Sequence, residues 1–220
     1  MTTTTTRPTG RRPSHRAVMS AVAAVSLAGV AAVALPTTSE AGVIRSSATL
    51  RSANGTVLGR VHFTVGGRNT LVTAHLQLPG GVGALDAFHG FHIHANDNPA
   101  NGDGCVADPA RPADTWFVSA DGHLTEAGRT HGAHAGDLPT LLVNADGSAD
   151  ISFTTGRLTV GQLRNRVVIL HAGADNEGNV PVGTAPDQYT PNSPDATAKT
   201  AATGNAGDRI GCGVIRIDHR

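Results

Sequence analysis

An all-β fold is predicted for this 220-residue chain, and three observations predict it. The 27 glycines and 12 prolines supply turn residues in a number that suits short strands better than long helices. Apolar and polar residues alternate at period two over several stretches. No stretch carries a convincing helical apolar period. The length allows one well-buried domain and little more. Aromatic residues make up only 3% of the chain, so Val, Ile, Leu and Ala must build the core.

Residues 1–41 read as an export signal and 42–220 as the working domain. Arg7, Arg11, Arg12 and Arg16 give a positive start, and Ala17 to Leu35 then run for 19 residues without charge. Ser39-Glu40-Ala41 offers a small-x-small cleavage site, with Ala32-Val33-Ala34 as a second option. An uncleaved anchor is the competing reading, because 19 residues nearly span a bilayer of ~30 Å. The stretch is alanine-rich and weakly apolar, which favours a soluble exported protein without stable membrane insertion. Arg11-Arg12 raises twin-arginine export, although Pro13-Ser14-His15 matches that signal poorly. Without residues 1–41 there remain 13 basic and 16 acidic residues, a balance of −3. No basic run follows the N-terminus, so nucleic acid is not an expected partner.

In the working domain, Ala48–Ser52 meets an Asn54-Gly55 hairpin signal and continues into Thr56–Val65. Asn69–Leu78 is a third strand, ended by Pro79-Gly80-Gly81. Phe88–His94 is a further strand, followed by Leu141–Val143, Ala149–Thr154, Arg166–His171 and Ile210–Ile217. Two long irregular segments remain, Ala95–Pro139 and Asp175–Asp208. Connections of that length in a compact domain are usually functional or disordered. Ala95–Pro139 holds His123, His131, His134 and Cys105, so a rigid β scaffold presenting two working loops is expected.

Eleven histidines are the unusual count, and their spacing points to metal. His92 and His94 are two apart on a strand, so alternation puts both rings on one face. His131, His134 and Asp137 follow at H-x2-H-x2-D spacing, separated by Gly and Ala alone. Such small residues let the backbone wrap an ion, and imidazoles with one carboxylate suit tetrahedral zinc. Asn96–Cys105 lacks the alternating acidic positions and terminal Glu of a calcium loop. Cys105 and Cys212 are the only cysteines, and in an oxidising compartment an isolated pair is most simply one disulfide.

Gly90–His94, His131–Pro139, His171–Asn176 and Gly204–Ile215 together resemble the four signature segments of secreted bacterial copper–zinc superoxide dismutases, over roughly residues 44–217. The resemblance implies an eight-stranded Greek-key β-barrel or sandwich with two long functional loops. It implies copper held by His92, His94, His123 and His171, and zinc held by His123, His131, His134 and Asp137. His123 would bridge the two ions. Asp175 would accept a hydrogen bond from one ligand histidine of each metal, and Cys105–Cys212 would tie the copper-side loop to the barrel. Arg209 would hold the substrate, the small anion superoxide, and His123 would handle the proton.

Two departures from the family pattern stand out. Ala95-Asn96-Asp97 replaces Glu-Phe-Gly, and Asp121-Gly122-His123-Leu124-Thr125-Glu126 replaces Gly-Gly-His-Phe-Asn-Pro. Eighteen positions separate Cys105 from His123, a longer loop than in animal enzymes. A metal buffer on the same fold would have been favoured by loss of Arg209 or a copper histidine, and a copper-only relative by loss of zinc ligands; all are present. His15, His62, His75, His89 and His219 have no assigned role, and His62 and His75 are expected on an exposed strand face. The reading is therefore a secreted superoxide dismutase, with a homodimer left open.

Overall fold

The computed structural model of the chain describes residues 44–177 and 194–218. The export signal expected at 1–41, with its expected cleavage sites and His15, lies outside the described residues, as does His219. Ten strands dominate: β1 Ile44–Arg51, β2 Val57–Gly66, β3 Asn69–Gln77, β4 Ala87–His89, β5 Phe91–His94, β6 Leu141–Val143, β7 Ser148–Thr155, β8 Val167–His171, β9 Arg209–Val214 and β10 Arg216–Ile217. Two helices accompany them, α1 Val160–Leu163 and α2 Pro194–Thr203.

The main ladder is antiparallel and runs β5-β8-β9-β1-β2-β3-β7, with β10 extending the pairing to β1. β4 and β5 are halves of the predicted Phe88–His94 strand, interrupted at Gly90. There the Gly90 N–H donates to Gly173 O (2.8 Å) and its carbonyl accepts from the His171 N–H (2.9 Å). β4 pairs with β6, and β6 turns at Asn144–Gly147 into β7. Taking β4–β5 and β9–β10 as one strand each leaves the eight strands expected. The chain skips from β3 to the far end of the ladder and later returns β9 beside β1, which is Greek-key connectivity.

Alternation decides what each strand buries. Leu50, Leu58, Val61, Phe63, Val72, Ala74, Phe91, Ile93, Val168 and Leu170 fill the barrel interior. β8 is buried on both faces, because its other side carries Val167 and Ile169 into a smaller core. That second core adds Phe117, Ala120 and Cys212, so the loop after β5 is packed onto the outside of the barrel wall. Cys105 and Cys212 form the disulfide there, with Cα atoms 5.7 Å apart.

The segment Asp175–Asp208, expected to be irregular, contains α2. Its apolar residues are mostly alanines scattered among Thr, Asp and Lys, so no apolar stripe marks it. Helix propensity and Pro194 at the first turn, after Ser193, are the signals that identify it. Among the described residues no helix is long and apolar enough to cross a membrane.

Cys105 and Cys212 are 107 positions apart. Closing a loop of about 100 residues is worth about 4.7 kcal/mol in chain entropy, as an upper figure. Reduction is expected to lower the denaturation midpoint markedly. Alkylation before reduction should find no free thiol, and two free thiols in native protein would contradict the pairing.

Candidate metal centre

Phe91 and Ile93 take the inner face of β5, which leaves His92 and His94 on the opposite face. His171 ends β8 next to them, after a register shift between Leu170 and His171. The free edge of β5 is covered by two loop segments. Leu124 N–H donates to Ile93 O and Ile93 N–H to Gly136 O, both at 2.8 Å. A Cβ on Gly136 would stand 2.2 Å from Ile93 O, so only glycine permits this approach. The same pairing sets His123 opposite His94 and Asp137 opposite His92.

Hydrogen bonds orient each ring. His92 Nε2 lies 2.7 Å from Asp175 Oδ2, His94 Nδ1 lies 2.8 Å from Asp121 O, and His171 Nδ1 lies 3.0 Å from Gly207 O. Each of these nitrogens faces an acceptor and therefore carries the ring proton. The opposite nitrogens, His92 Nδ1, His94 Nε2 and His171 Nε2, are buried without a hydrogen-bond partner, as is His123 Nε2. Ligand atoms of these four histidines lie within 4.8 Å of one another. Four buried lone pairs converging on one point fit a cation and little else.

A second convergence lies on the far side of His123 and shares that residue. His123 Nδ1 is 2.9 Å from Asp137 Oδ1 and 3.4 Å from His134 Nδ1, and the last is 3.2 Å from Asp137 Oδ1. His123, His131 and Asp137, together with His92, also offer ligand atoms within 4.8 Å of one another. Asp137 Oδ2 accepts the N–H groups of Gly132 (2.6 Å) and His134 (2.9 Å), so the carboxylate shapes its own loop. Arg157 donates to the carbonyls of Gly132 (3.1 Å) and His134 (3.3 Å) from β7's far end. The donor set of imidazoles and one carboxylate fits zinc.

Asp175 joins the two convergences, with Oδ2 at His92 and Oδ1 3.1 Å from His131 Nε2. α2 closes over it: Ala201 O accepts the His131 N–H at 2.7 Å. Gly204 follows α2 at φ +63°, and a Cβ there would meet Asp175 Oδ1 at 2.0 Å and His131 Nε2 at 2.6 Å. Arg209 is the register partner of His171. Its guanidinium donates to the carbonyls of Phe117 and Asp121, the second at 2.6 Å. Asp121 O thus accepts from both His94 and Arg209.

Electrostatics follow from this crowding. Burial, with positive neighbours behind it, pushes the His94 ring well below the ordinary 6.5. Burial takes His123 down to about 4, against a raising hydrogen bond with Asp137. His171 falls to about 3, through burial first and His92 next. Burial alone would raise the Asp137 carboxyl, but its bonds with His123 and His134 prevail and hold it at about 2. Asp175 is likewise held below the carboxylate range by His131 and His92, in spite of burial.

The family model for copper/zinc superoxide dismutase matches residues 57–215. The chain belongs to that family. The copper–zinc superoxide dismutase of Mycobacterium tuberculosis is 36% identical over 181 residues, which cover 77% of this chain and 69% of the relative. The extracellular copper–zinc superoxide dismutase of Brugia pahangi is 28% identical over 179 residues, covering 77% and 74%. A SOD-like protein from Bacillus subtilis, solved as a double mutant, shares the fold at a TM-score of 0.52 and 24% identity, over 76% of this chain and 95% of that one. The dismutase converts two superoxide anions and two protons to dioxygen and hydrogen peroxide, with copper and zinc as its cofactors.

In the dismutase, every residue singled out in the sequence falls in one region: His92, His94, His123, His131, His134, Asp137, His171, Asp175 and Arg209, with Cys105–Cys212 beside them. His62 and His75 lie on the exposed sheet face as expected, where His75 Nδ1 meets Asp150 Oδ1 at 2.5 Å. Two residues were missed. His89 is fully buried, its nitrogens 2.7 Å from His171 O and 2.9 Å from Ala84 O, so it ties β4 to the end of β8. Its shared parity with Phe91 and Ile93 is the sequence signal for an inward side chain. Asp121 gave no signal beyond replacing glycine.

Replacing Gly204 with Ala is expected to displace Asp175 from His131 and weaken zinc binding by roughly ten- to a hundredfold. Chelator competition measures this, and unaltered zinc affinity would contradict it. The depressed rings also predict an acid limit for metal-free protein. Folded His94, His123 and His171 stay neutral, whereas in the unfolded chain they take protons near pH 6.5. The unfolded state then binds more protons, so stability falls as pH drops from 6.5 towards 4 and 3. Asp137 and Asp175 add to the loss only below pH 3.8. Melting of metal-free protein at several pH values tests this; a flat profile from pH 7 to 4 would contradict it.

Proposed function

We propose that His92 Nδ1, His94 Nε2, His123 Nε2 and His171 Nε2 hold the copper, and that His123, His131, His134 and Asp137 hold the zinc. The observation that carries the reading is the set of four buried, unpartnered ring nitrogens within ligand distance of one another. His92 can give its one lone pair to one ion only, and His134 completes the zinc set to four. Copper, when bound, supplies a one-electron couple that accepts an electron from one superoxide and returns it to another, while zinc stays redox-silent.

The side chains do the rest. His123 lies between the two sets, and whenever its Nε2 is not bonded to copper that nitrogen would hold a proton and pass it to the reduced product. Asp175 fixes the ring orientation of His92 and His131 together. Arg209 presents a permanent cation beside His94 and His171, held by carbonyls rather than by a carboxylate, so its charge remains available to an anion. Residues 1–41 serve as the export signal and 42–220 as the enzyme, which acts outside the cell on superoxide formed there. The arginines followed by an uncharged run support this, as does the extracellular relative.

Metal analysis and dismutation assayed on one purified sample should give one copper and one zinc per chain. His134→Ala and Asp137→Ala should lose zinc while keeping most copper; full zinc occupancy in either would overturn the zinc set. Arg209→Ala should keep both metals but lose rate severalfold, with Arg209→Lys in between and Arg209→Glu slowest. Pulse radiolysis at low and high salt reads this, and equal rates at matched copper occupancy would remove Arg209 from substrate docking.

A further inference from the structure

The residue that replaces glycine two places before His123 has an unusual backbone. Asp121 sits at φ +64° and ψ −157°, a region that is nearly glycine-only and costs other residues about 1–3 kcal/mol. Such a conformation persists only where surrounding bonds over-determine it. Here they are visible. Asp121 Oδ2 accepts the N–H groups of Asp97 (2.7 Å) and Asn98 (2.8 Å), and Oδ1 accepts from Asn101 Nδ2 (2.8 Å). Its own N–H donates to Val118 O (3.0 Å). Phe117, at the other end of the same short turn, is also left-handed, at φ +55°.

Both left-handed residues aim carbonyls at one place. Phe117 O and Asp121 O receive the two ends of the Arg209 guanidinium, and Asp121 O also receives His94 Nδ1. We propose that Asp121 is a positioning residue for dismutation: its carboxylate fastens the 117–121 turn to the 97–101 loop and so keeps one carbonyl aimed at both His94 and Arg209. The proposal rests on the reading of His94 as a copper ligand and Arg209 as the superoxide dock. It makes the carboxylate at 121 act through the backbone, since its oxygens face the loop and not the imidazoles.

The test compares copper- and zinc-loaded wild type with Asp121→Asn, Asp121→Gly and Asp121→Ala at matched copper occupancy. Asn keeps an acceptor oxygen and removes the charge. Gly relieves the backbone strain and removes the clamp, so it folds even if Ala does not. Amide exchange at Asp97 and Asn98 should quicken about tenfold in Gly, as expected for one lost hydrogen bond, and stay slow in Asn. The Cu(II) electron paramagnetic resonance spectrum should change in Gly, because the ring of His94 is released, and the dismutation rate should fall severalfold. Asn should keep the wild-type spectrum and most of the rate.

A Gly variant with wild-type spectrum and rate would overturn the proposal. So would a rate raised equally in Asn and Gly, which would make Asp121 a repelling charge instead. Arg209→Ala in the same series keeps the two readings apart. Its full activity would remove Arg209 from docking, while the spectrum of the Gly variant would still decide whether Asp121 positions His94.

Discussion

Six imidazoles packed side by side can stay buried only if they are neutral, and a neutral imidazole brings one N–H and one lone pair that both need a partner. His92 and His123 have ring centres 4.0 Å apart, and the other rings around them lie within about 6 Å. The protein supplies the acceptors: Asp175 for His92, Asp121 O for His94, Gly207 O for His171. It supplies no donor for the lone pairs left behind. That asymmetry defines the site. Metal is the group that satisfies it, and the lowered pKa values of His94, His123 and His171 keep their lone pairs available at neutral pH.

The scaffold can be understood as what that constraint requires. Rings held in fixed orientation need a wall that does not yield, and β5 and β8 form it, with Phe91, Ile93, Val168 and Leu170 locked in the interior. The loops that cover the rings would otherwise exchange freely with solvent. The outer core of Phe117, Ala120, Val167 and Ile169 fastens one of them, and the disulfide fastens it again through β9. α2 and Gly204 cover the other side. Asp175 spans both groups of histidines, so a shift of either ring it touches is felt by the other.

Much of this was legible in the sequence, for identifiable reasons. Strand alternation is a local signal, so β2, β3, β6, β7 and β8 fell within a residue or two of their predicted bounds, while β1 begins four residues before the predicted Ala48. The His92–His94 and His131–His134–Asp137 groups are local too, and their rings converge as the spacing implied. What escaped depends on contacts distant in sequence. The break at Gly90 arises from pairing with His171 and Gly173. α2 has no apolar stripe, because its apolar residues are mostly alanines scattered among Thr, Asp and Lys. Asp121 could not be read at all: its bonds reach Asp97 and Asn98 in one segment and Arg209 in another.

Arg209 shows how a fixed cation can be held without being cancelled. A carboxylate partner would orient the guanidinium well, but it would also neutralise its charge. Carbonyl oxygens orient through dipoles and leave the net charge intact. Among the described residues, Arg209 makes no ion pair, and its bonds go to Phe117 O and Asp121 O. Partial burial lowers its pKa, yet a guanidinium remains protonated throughout the working range. Aiming two carbonyls at one cation from a single short turn requires a backbone that doubles back on itself. The left-handed residues at both ends of that turn are the cost, and the bonds made by the Asp121 side chain offset it.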